Sequence, residues 1–200
     1  VTIPTFTAGS VLTASQMNQV AKQVVVTCTS GTRPSSPPEG MTIYETDTEK
    51  LLTYTTSTTG WVPPWNLPWG YVATASTTST TTGVGSSYTD ASTLSVTWTT
   101  VQNRRYRVTG YLDFGSSSAT ISYVAITDGS NAIKAVAHES HAANDIVTFS
   151  PAELFTAASS TSTTRKLRVK CDAGTGGTQS NVYGPHFILV EDIGPNGAPA

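Results

Sequence analysis

Three histidines, a few neighbouring acidic residues and many serines are the groups from which this chain would have to build a catalytic or metal site. Two of the histidines fall in His138-Glu139-Ser140-His141. A protease zinc motif carries its histidines four apart on a helix, so that both rings face one ion with the Glu between them. Here they are three apart and follow an apolar, strand-like stretch, and His186 is distant. Zinc sites need three or four convergent ligands, so loop histidines without a metal are expected. No serine lies in a Gly-x-Ser-x-Gly elbow. Glu45 with Asp47, and Glu191 with Asp192, are the acid pairs a glycosidase reading would use. Strand neighbours point to opposite faces and residues two apart sit side by side, so neither spacing by itself sets carboxylates across a sugar cleft. Gly174-Thr175-Gly176-Gly177 lacks the Lys and the following helix of a phosphate loop. Cys28 and Cys171 are far apart and suggest no redox or metal pair. Reduced thiols are expected, with a long-range disulfide as the alternative. The expectation is of no enzyme, no cofactor and no metal.

The elements that would have to position any site are read from composition and pattern. Charged residues make up 12% of the 200, against 38% hydrophobic. That charged share is about half the usual one, and Thr and Ser fill the gap, so the surface is polar but weakly charged. Phosphate neutralisation takes clusters of Lys and Arg, and the net charge is −2. The only basic clusters are Arg104, Arg105 and Arg107, and Arg165, Lys166, Arg168 and Lys170. Alternating with Tyr106, Val108, Leu167 and Val169, they read as solvated strand faces, and nucleic acid is not an expected partner. No apolar stretch approaches the roughly 20 residues of a membrane span, and the start of the chain lacks the pattern of a signal peptide, so neither insertion nor secretion is expected.

The chain reads as mainly β, in the order short helix, small sheet, sandwich. In residues 1–30, Thr13 is placed to cap a helix with Gln16 bonding back to it, and Met17, Val20, Ala21 and Val24 follow as one helical stripe. A helix of about 12 residues is marginal alone and needs a cover, whether the chain's own β-structure, symmetry mates or another protein. Residues 31–70 begin with an extended connector around Pro34, Pro37 and Pro38. Two strands, 41–46 and 51–55, follow, with Trp61-Val62 as a third edge. So small a sheet must dock to persist. Pro63, Pro64 and Pro68 then stiffen a joint where Trp61, Trp65, Leu67 and Trp69 are candidates for packing between modules.

Residues 71–195 hold eight candidate strands, at 71–75, 93–99, 106–114, 119–127, 132–138, 145–150, 165–171 and 187–193. Short strands separated by turn residues predict an antiparallel, jelly-roll-like β-sandwich. Leu94, Val96 and Trp98 share a face, Val108 and Leu112 another, and Leu167 and Val169 a third. Asp128-Gly129 is placed as a hairpin turn. Phe187-Ile188-Leu189-Val190 does not alternate, which predicts a strand covered on both faces. Residues 196–200 form a tail without regular structure.

Three segments resemble pieces of tailed-bacteriophage structural proteins, especially those of phages of actinobacteria. They are Phe6-Thr7-Ala8-Gly9-Ser10-Val11-Leu12-Thr13-Ala14-Ser15-Gln16-Met17-Asn18; Arg33-Pro34 with Gly40-Met41-Thr42-Ile43-Tyr44-Glu45-Thr46-Asp47-Thr48, Leu51 and Trp61-Val62; and Ile188-Leu189-Val190-Glu191-Asp192-Ile193-Gly194-Pro195. The first is similar to their N-terminal attachment regions, the second to a small hairpin module of fibres and minor tail proteins, the third to the last strand of their C-terminal β-domains. The resemblance implies a virion-exterior structural protein, made in the host cytoplasm, as a short homotrimeric capsid decoration, head fibre or minor tail protein. Its implied partners are itself and major capsid or tail proteins. The alternative is a receptor- or glycan-binding fibre module, with Tyr71, Tyr88 and Tyr183 stacking on sugars of the host surface.

Overall fold

The computed structural model describes residues 9, 11, 13–21, 25–56, 60–172, 177–180 and 185–197. Two compact units divide the chain, Val1–Leu67 and Pro68–Ala200.

The first unit opens with helix α1 (Ala14–Ala21), and residues 22–24, which its sequence pattern also includes, lie outside the described residues. Its cap forms as expected: the Thr13 N–H donates to Gln16 Oε1 at 2.9 Å and the Gln16 N–H donates to Thr13 Oγ1 at 3.2 Å. Strands β1 (Val26–Cys28), β2 (Thr42–Glu45), β3 (Lys50–Thr55) and β4 (Gly60–Val62) form a sheet in that order. The meander predicted over β2–β4 is present, and β1 adds a strand that the sequence reading lacked. β1 runs parallel to β2, pairing Val26 with Ile43 and Cys28 with Glu45. A parallel pair needs a long crossover, and the proline-bearing stretch 33–38 is part of it. Ile43 and Leu52, opposite each other on β2 and β3, are both buried, and Tyr54 meets Trp61 edge-on at 5.4 Å.

Among the described residues the second unit is a sandwich of ten antiparallel strands. They are β5 (Gly70–Thr77), β6 (Thr89–Thr99), β7 (Arg104–Ser116), β8 (Thr120–Asp128), β9 (Ile133–His141), β10 (Ile146–Phe149), β11 (Ala152–Thr156), β12 (Ser162–Cys171), β13 (Gly177–Ser180) and β14 (His186–Pro195). One sheet has the order β10-β7-β14-β5, with β11 and β13 also on β7; the other is β6-β12-β8-β9. Counting β10 and β11 as one interrupted strand and setting β13 aside, the strands in chain order lie first–eighth–third–sixth in one sheet and second–seventh–fourth–fifth in the other. That is the strand order of a jelly roll.

β7 organises the first sheet. Its 13 residues are flanked on one side by β14 and then β13, and on the other by β11 and then β10. Alternation assigns the faces: Tyr106, Val108, Leu112 and Phe114 point inward and are buried, against Leu94, Val96, Leu167 and Val169 of the opposite sheet. Each large aliphatic or aromatic side chain buried this way contributes about 1.5–3 kcal/mol. Gly110 belongs to the same row, and a Cβ there would come within 2.5 Å of Leu167 Cδ2, so the missing side chain leaves the space that Leu167 of the opposite sheet fills.

Several expectations are corrected. β14 does alternate: Ile188 and Val190 are buried, whereas Phe187 and Leu189 on the outer face are only partly covered. β11 and β13 were not foreseen. Arg104 and Arg165 are not on solvated faces, because each shares the inward phase of its apolar neighbours and meets a carboxylate there. Arg104 donates from Nε and Nη2 to Asp192 at 2.5 and 2.6 Å, and both side chains are fully buried. Trp69 lies beneath the guanidinium, its ring centre 3.7 Å from Cζ, and its backbone N–H donates to Asp192 Oδ1 at 3.2 Å. Arg165 of β12 reaches across the sandwich to Glu153 of β11 with bonds of 2.6 and 2.8 Å. Lys166, Arg168 and Lys170 are on the outer face, as expected, where Lys166 and Arg168 stand across from the buried Thr127 and Ala125.

Removing one member of a buried pair leaves the other charge without compensation. Arg104→Ala is expected to lower unfolding free energy by roughly 3–5 kcal/mol. Arg105→Ala, on the outer face of the same strand, is expected to change it by less than about 0.5 kcal/mol. Urea titration of the full chain followed by tryptophan fluorescence compares the two.

Candidate functional site

The segment between Arg33 and Thr48 carries the most specific sequence pattern, and its polar side chains close on one another. Glu45, at the end of β2, is wholly buried and accepts a bond from Arg33 Nε and one of 2.6 Å from the Thr48 hydroxyl. The Arg33 and Thr48 bonds hold the Glu45 carboxyl below the ordinary carboxylate range, and Arg33 is pushed up in return. Asp47 accepts from the Ser30 N–H at 2.9 Å and from its hydroxyl at 2.5 Å, which lowers its pKa as well. Glu39 is lowered by the backbone N–H of Thr56, 2.7 Å away. The motif is thus a set of folding contacts holding β1, the 3-10 turn Ser30–Thr32 and the β2–β3 turn together. On the opposite face of this sheet Tyr44 and Leu51 stand across from each other, 39% and 46% exposed, as an uncovered apolar pair.

The candidate attachment residues are partly in view. Met17 is 51% exposed on α1. Val20 and Ala21 belong to that helix, but their side chains lie outside the described residues, as does all of Val24. Among the candidate packing residues, Trp61 is held by Tyr54, Trp65 is partly buried and Leu67 is half exposed, all within the first unit. Trp69 belongs to the second unit, where it carries Arg104.

The groups weighed for catalysis are dispersed. His138 stacks on Tyr123 on the outer face of β9 and β8, with ring centres 5.7 Å apart. His141, three residues on, faces the other way, so the two imidazoles do not share an ion. A contact that sequence reasoning missed lies here: Ser122 Oγ is 2.7 Å from His141 Nε2, and His141 Nδ1 is 2.9 Å from the Ala142 carbonyl. The carbonyl requires a proton on Nδ1, and in the neutral imidazole Ser122 then donates to Nε2. A hydroxyl on an imidazole is the start of a nucleophile pair. Ser122 is fully buried, however, and the pair ties β8 to β9 out of reach of a substrate. No local signal marked it, since serines are abundant and the partners are 19 residues apart.

Glu191 and Asp192 face opposite ways, Glu191 to Arg107 at 2.8 Å on the outside and Asp192 to Arg104 within. Among the described residues no three His, Cys, Asp or Glu converge as a metal site. Neither cysteine forms a disulfide; the Cys171 thiol donates to the Val84 carbonyl at 3.2 Å. Gly174, Thr175 and Gly176 lie outside the described residues, and Gly177 opens β13. Tyr71 is 65% exposed. The Tyr88 phenol is raised by burial, and Tyr183 lies outside the described residues. No described helix is long and apolar enough to cross a membrane.

No family model matches the chain, and no curated protein matches it. Among solved structures it is similar to the VP2 subviral particle of infectious bursal disease virus, with 12% identity and a TM-score of 0.40 over 82% of this chain and 41% of that one. A structure of the Gx strain of the same virus gives 11% and 0.37 over 74% and 40%. The CBM22-1 xylan-binding domain of Paenibacillus barcinonensis Xyn10C gives 9% and 0.28 over 66% and 99%. The chain spans about two fifths of the length of the two viral chains. Overlaps this loose assign it no role.

A carboxylate whose folded pKa is depressed stabilises above its unfolded pKa, about 4.3 for Glu, and the contribution disappears as pH falls through the lower folded value. Acidification below about pH 4 is therefore expected to loosen the small sheet, seen as loss of near-UV circular dichroism from Tyr54 and Trp61. Glu45→Gln should flatten that profile, leaving the slope due to Asp47 and Glu39.

Proposed function

We propose that the chain is a non-enzymatic structural protein on the exterior of a tailed-phage virion, forming a short homotrimeric appendage: a capsid decoration or head fibre, or a minor tail protein. The first unit attaches, through α1 and the small sheet, to the chain's own copies and to a capsid or tail protein. The sandwich is the part displayed.

One observation carries this reading. The residues on which the phage resemblance rests most firmly, Arg33, Glu45, Asp47 and Thr48, bond to one another or to Ser30 and build a four-stranded sheet. A motif made of folding contacts supports a reusable structural module, whereas an enzyme motif would leave reactive groups open to a substrate. The size of that sheet supports the same reading. Ile43 and Leu52 are its only fully covered apolar side chains among the described residues, and so little buried area is marginal without a neighbour. The jelly roll is compatible, being a fold that viral and lectin domains share, but fold alone does not carry function.

Light scattering of the purified full chain should give three times the monomer mass, and immunogold against it should decorate purified particles. A monomer that never labels particles would rule the proposal out.

A further inference from the structure

A cavity of about 250 Å3 opens at one end of the sandwich, lined by Ser116, Ser117, Asn144, Asp145, Ile146 and Thr178 around Gly115. Three segments build it. β7 supplies the floor, with Gly115 paired to Ile146 of β10 on one side and to Thr178 of β13 on the other. The turn before β10 folds back over that floor. The Asn144 N–H donates to the Ser116 carbonyl at 2.8 Å, with Asn144 in the left-handed region at φ 66°, and the Asp145 N–H donates to Ala142 at 3.3 Å. Gly115 is required by this closure, since a Cβ on it would lie 2.4 Å from the Asp145 carbonyl oxygen. The walls are therefore fixed by backbone bonds.

Polar groups facing the cavity are not occupied with one another. Among the described residues the side chains of Ser117, Asn144, Asp145 and Thr178 make no hydrogen bond or ion pair, whereas the carboxylates of Glu153, Asp172, Glu191 and Asp192 in the same unit are all engaged. The cavity thus gathers one carboxylate, one carboxamide and hydroxyls with open bonding capacity, beside the apolar edge of Ile146. Ligand sites take this form, a concave surface with a few convergent polar groups. At just under the roughly 300 Å3 where ligand pockets begin, it suits one small ring rather than an extended chain.

We infer that this cavity is a binding site for a single neutral sugar residue, such as the terminal pyranose of a surface glycan. Asp145 and Asn144 accept from and donate to vicinal hydroxyls, Ser117 and Thr178 bond the remaining ones, and Ile146 meets the C–H face of the ring. Asp145 is the one charged group in the lining, so uronic and sialic acids and sugar phosphates are repelled. The site is independent of the virion reading and of Tyr71 and Tyr88, neither of which lines it.

Saturation-transfer NMR on the full chain tests it, using neutral hexoses, deoxyhexoses and N-acetylhexosamines against glucuronic and sialic acid. At least one neutral sugar should bind in the millimolar range, with no transfer to the acidic ones. Asp145→Ala and Thr178→Ala should each weaken binding at least tenfold without moving the melting temperature, since neither side chain holds the fold. Absence of transfer to any neutral sugar at tens of millimolar, equal binding of the acidic sugars, or unchanged binding by both variants would overturn it.

Discussion

The sandwich depends on the register of β7. Four strands hydrogen-bond to it, and a slip by one residue would move Tyr106, Val108, Leu112 and Phe114 from the core to the outside. Apolar alternation specifies that register along most of the strand, and the Arg104–Asp192 pair fixes its beginning. A guanidinium at that position is tolerated only because β14 brings Asp192 to it and Trp69 covers it. A slip by one residue would turn Arg104 outward with that row and leave Asp192 buried and uncompensated, a cost of several kcal/mol. The pair therefore penalises the wrong register, beyond whatever it contributes in the right one.

Charge is used sparingly throughout the chain, and mostly as a fastener. Arg165 joins the two sheets through Glu153, Arg33 ties the connector to β2 through Glu45, and Asp128 orders the β8–β9 turn by accepting from Ser130, Ala132 and Lys134. With so many ionisable groups engaged in this way, the surface is left to Thr and Ser. Such a surface has few reactive groups and exerts little long-range electrostatic pull. That suits a component whose role is set by where it is mounted.

The sequence made the β character, the capping of α1 and the inward rows of β6, β7 and β12 legible, because period-two alternation is a local signal. It also contained the burial of Arg104 and Arg165, which are in phase with Tyr106 and Leu167. The habit of placing arginine in solvent masked that signal, and only the distant partners Asp192 and Glu153 resolve it. β1 was hidden because it is three residues long and pairs in parallel across a proline-bearing connector. β13 was hidden because Gly-Thr-Gln-Ser reads as a loop, and β11 because Glu153 in Ala-Glu-Leu-Phe-Thr points into the core. The polar cavity was illegible for the same reason: Ser116-Ser117 and Asn144-Asp145 are ordinary turn residues until β7 and the turn before β10 bring them together.

In the proposed role the small sheet and α1 have meaning only against a neighbour. A reconstruction of purified phage particles that carry this protein tests that most directly. The account predicts density for the chain on the particle exterior, three copies around an axis, with α1 and the Tyr44–Leu51 face covered by a capsid or tail protein or by sister copies. Particles with no such density, with the chain recovered as a separate monomer in the lysate, would contradict it.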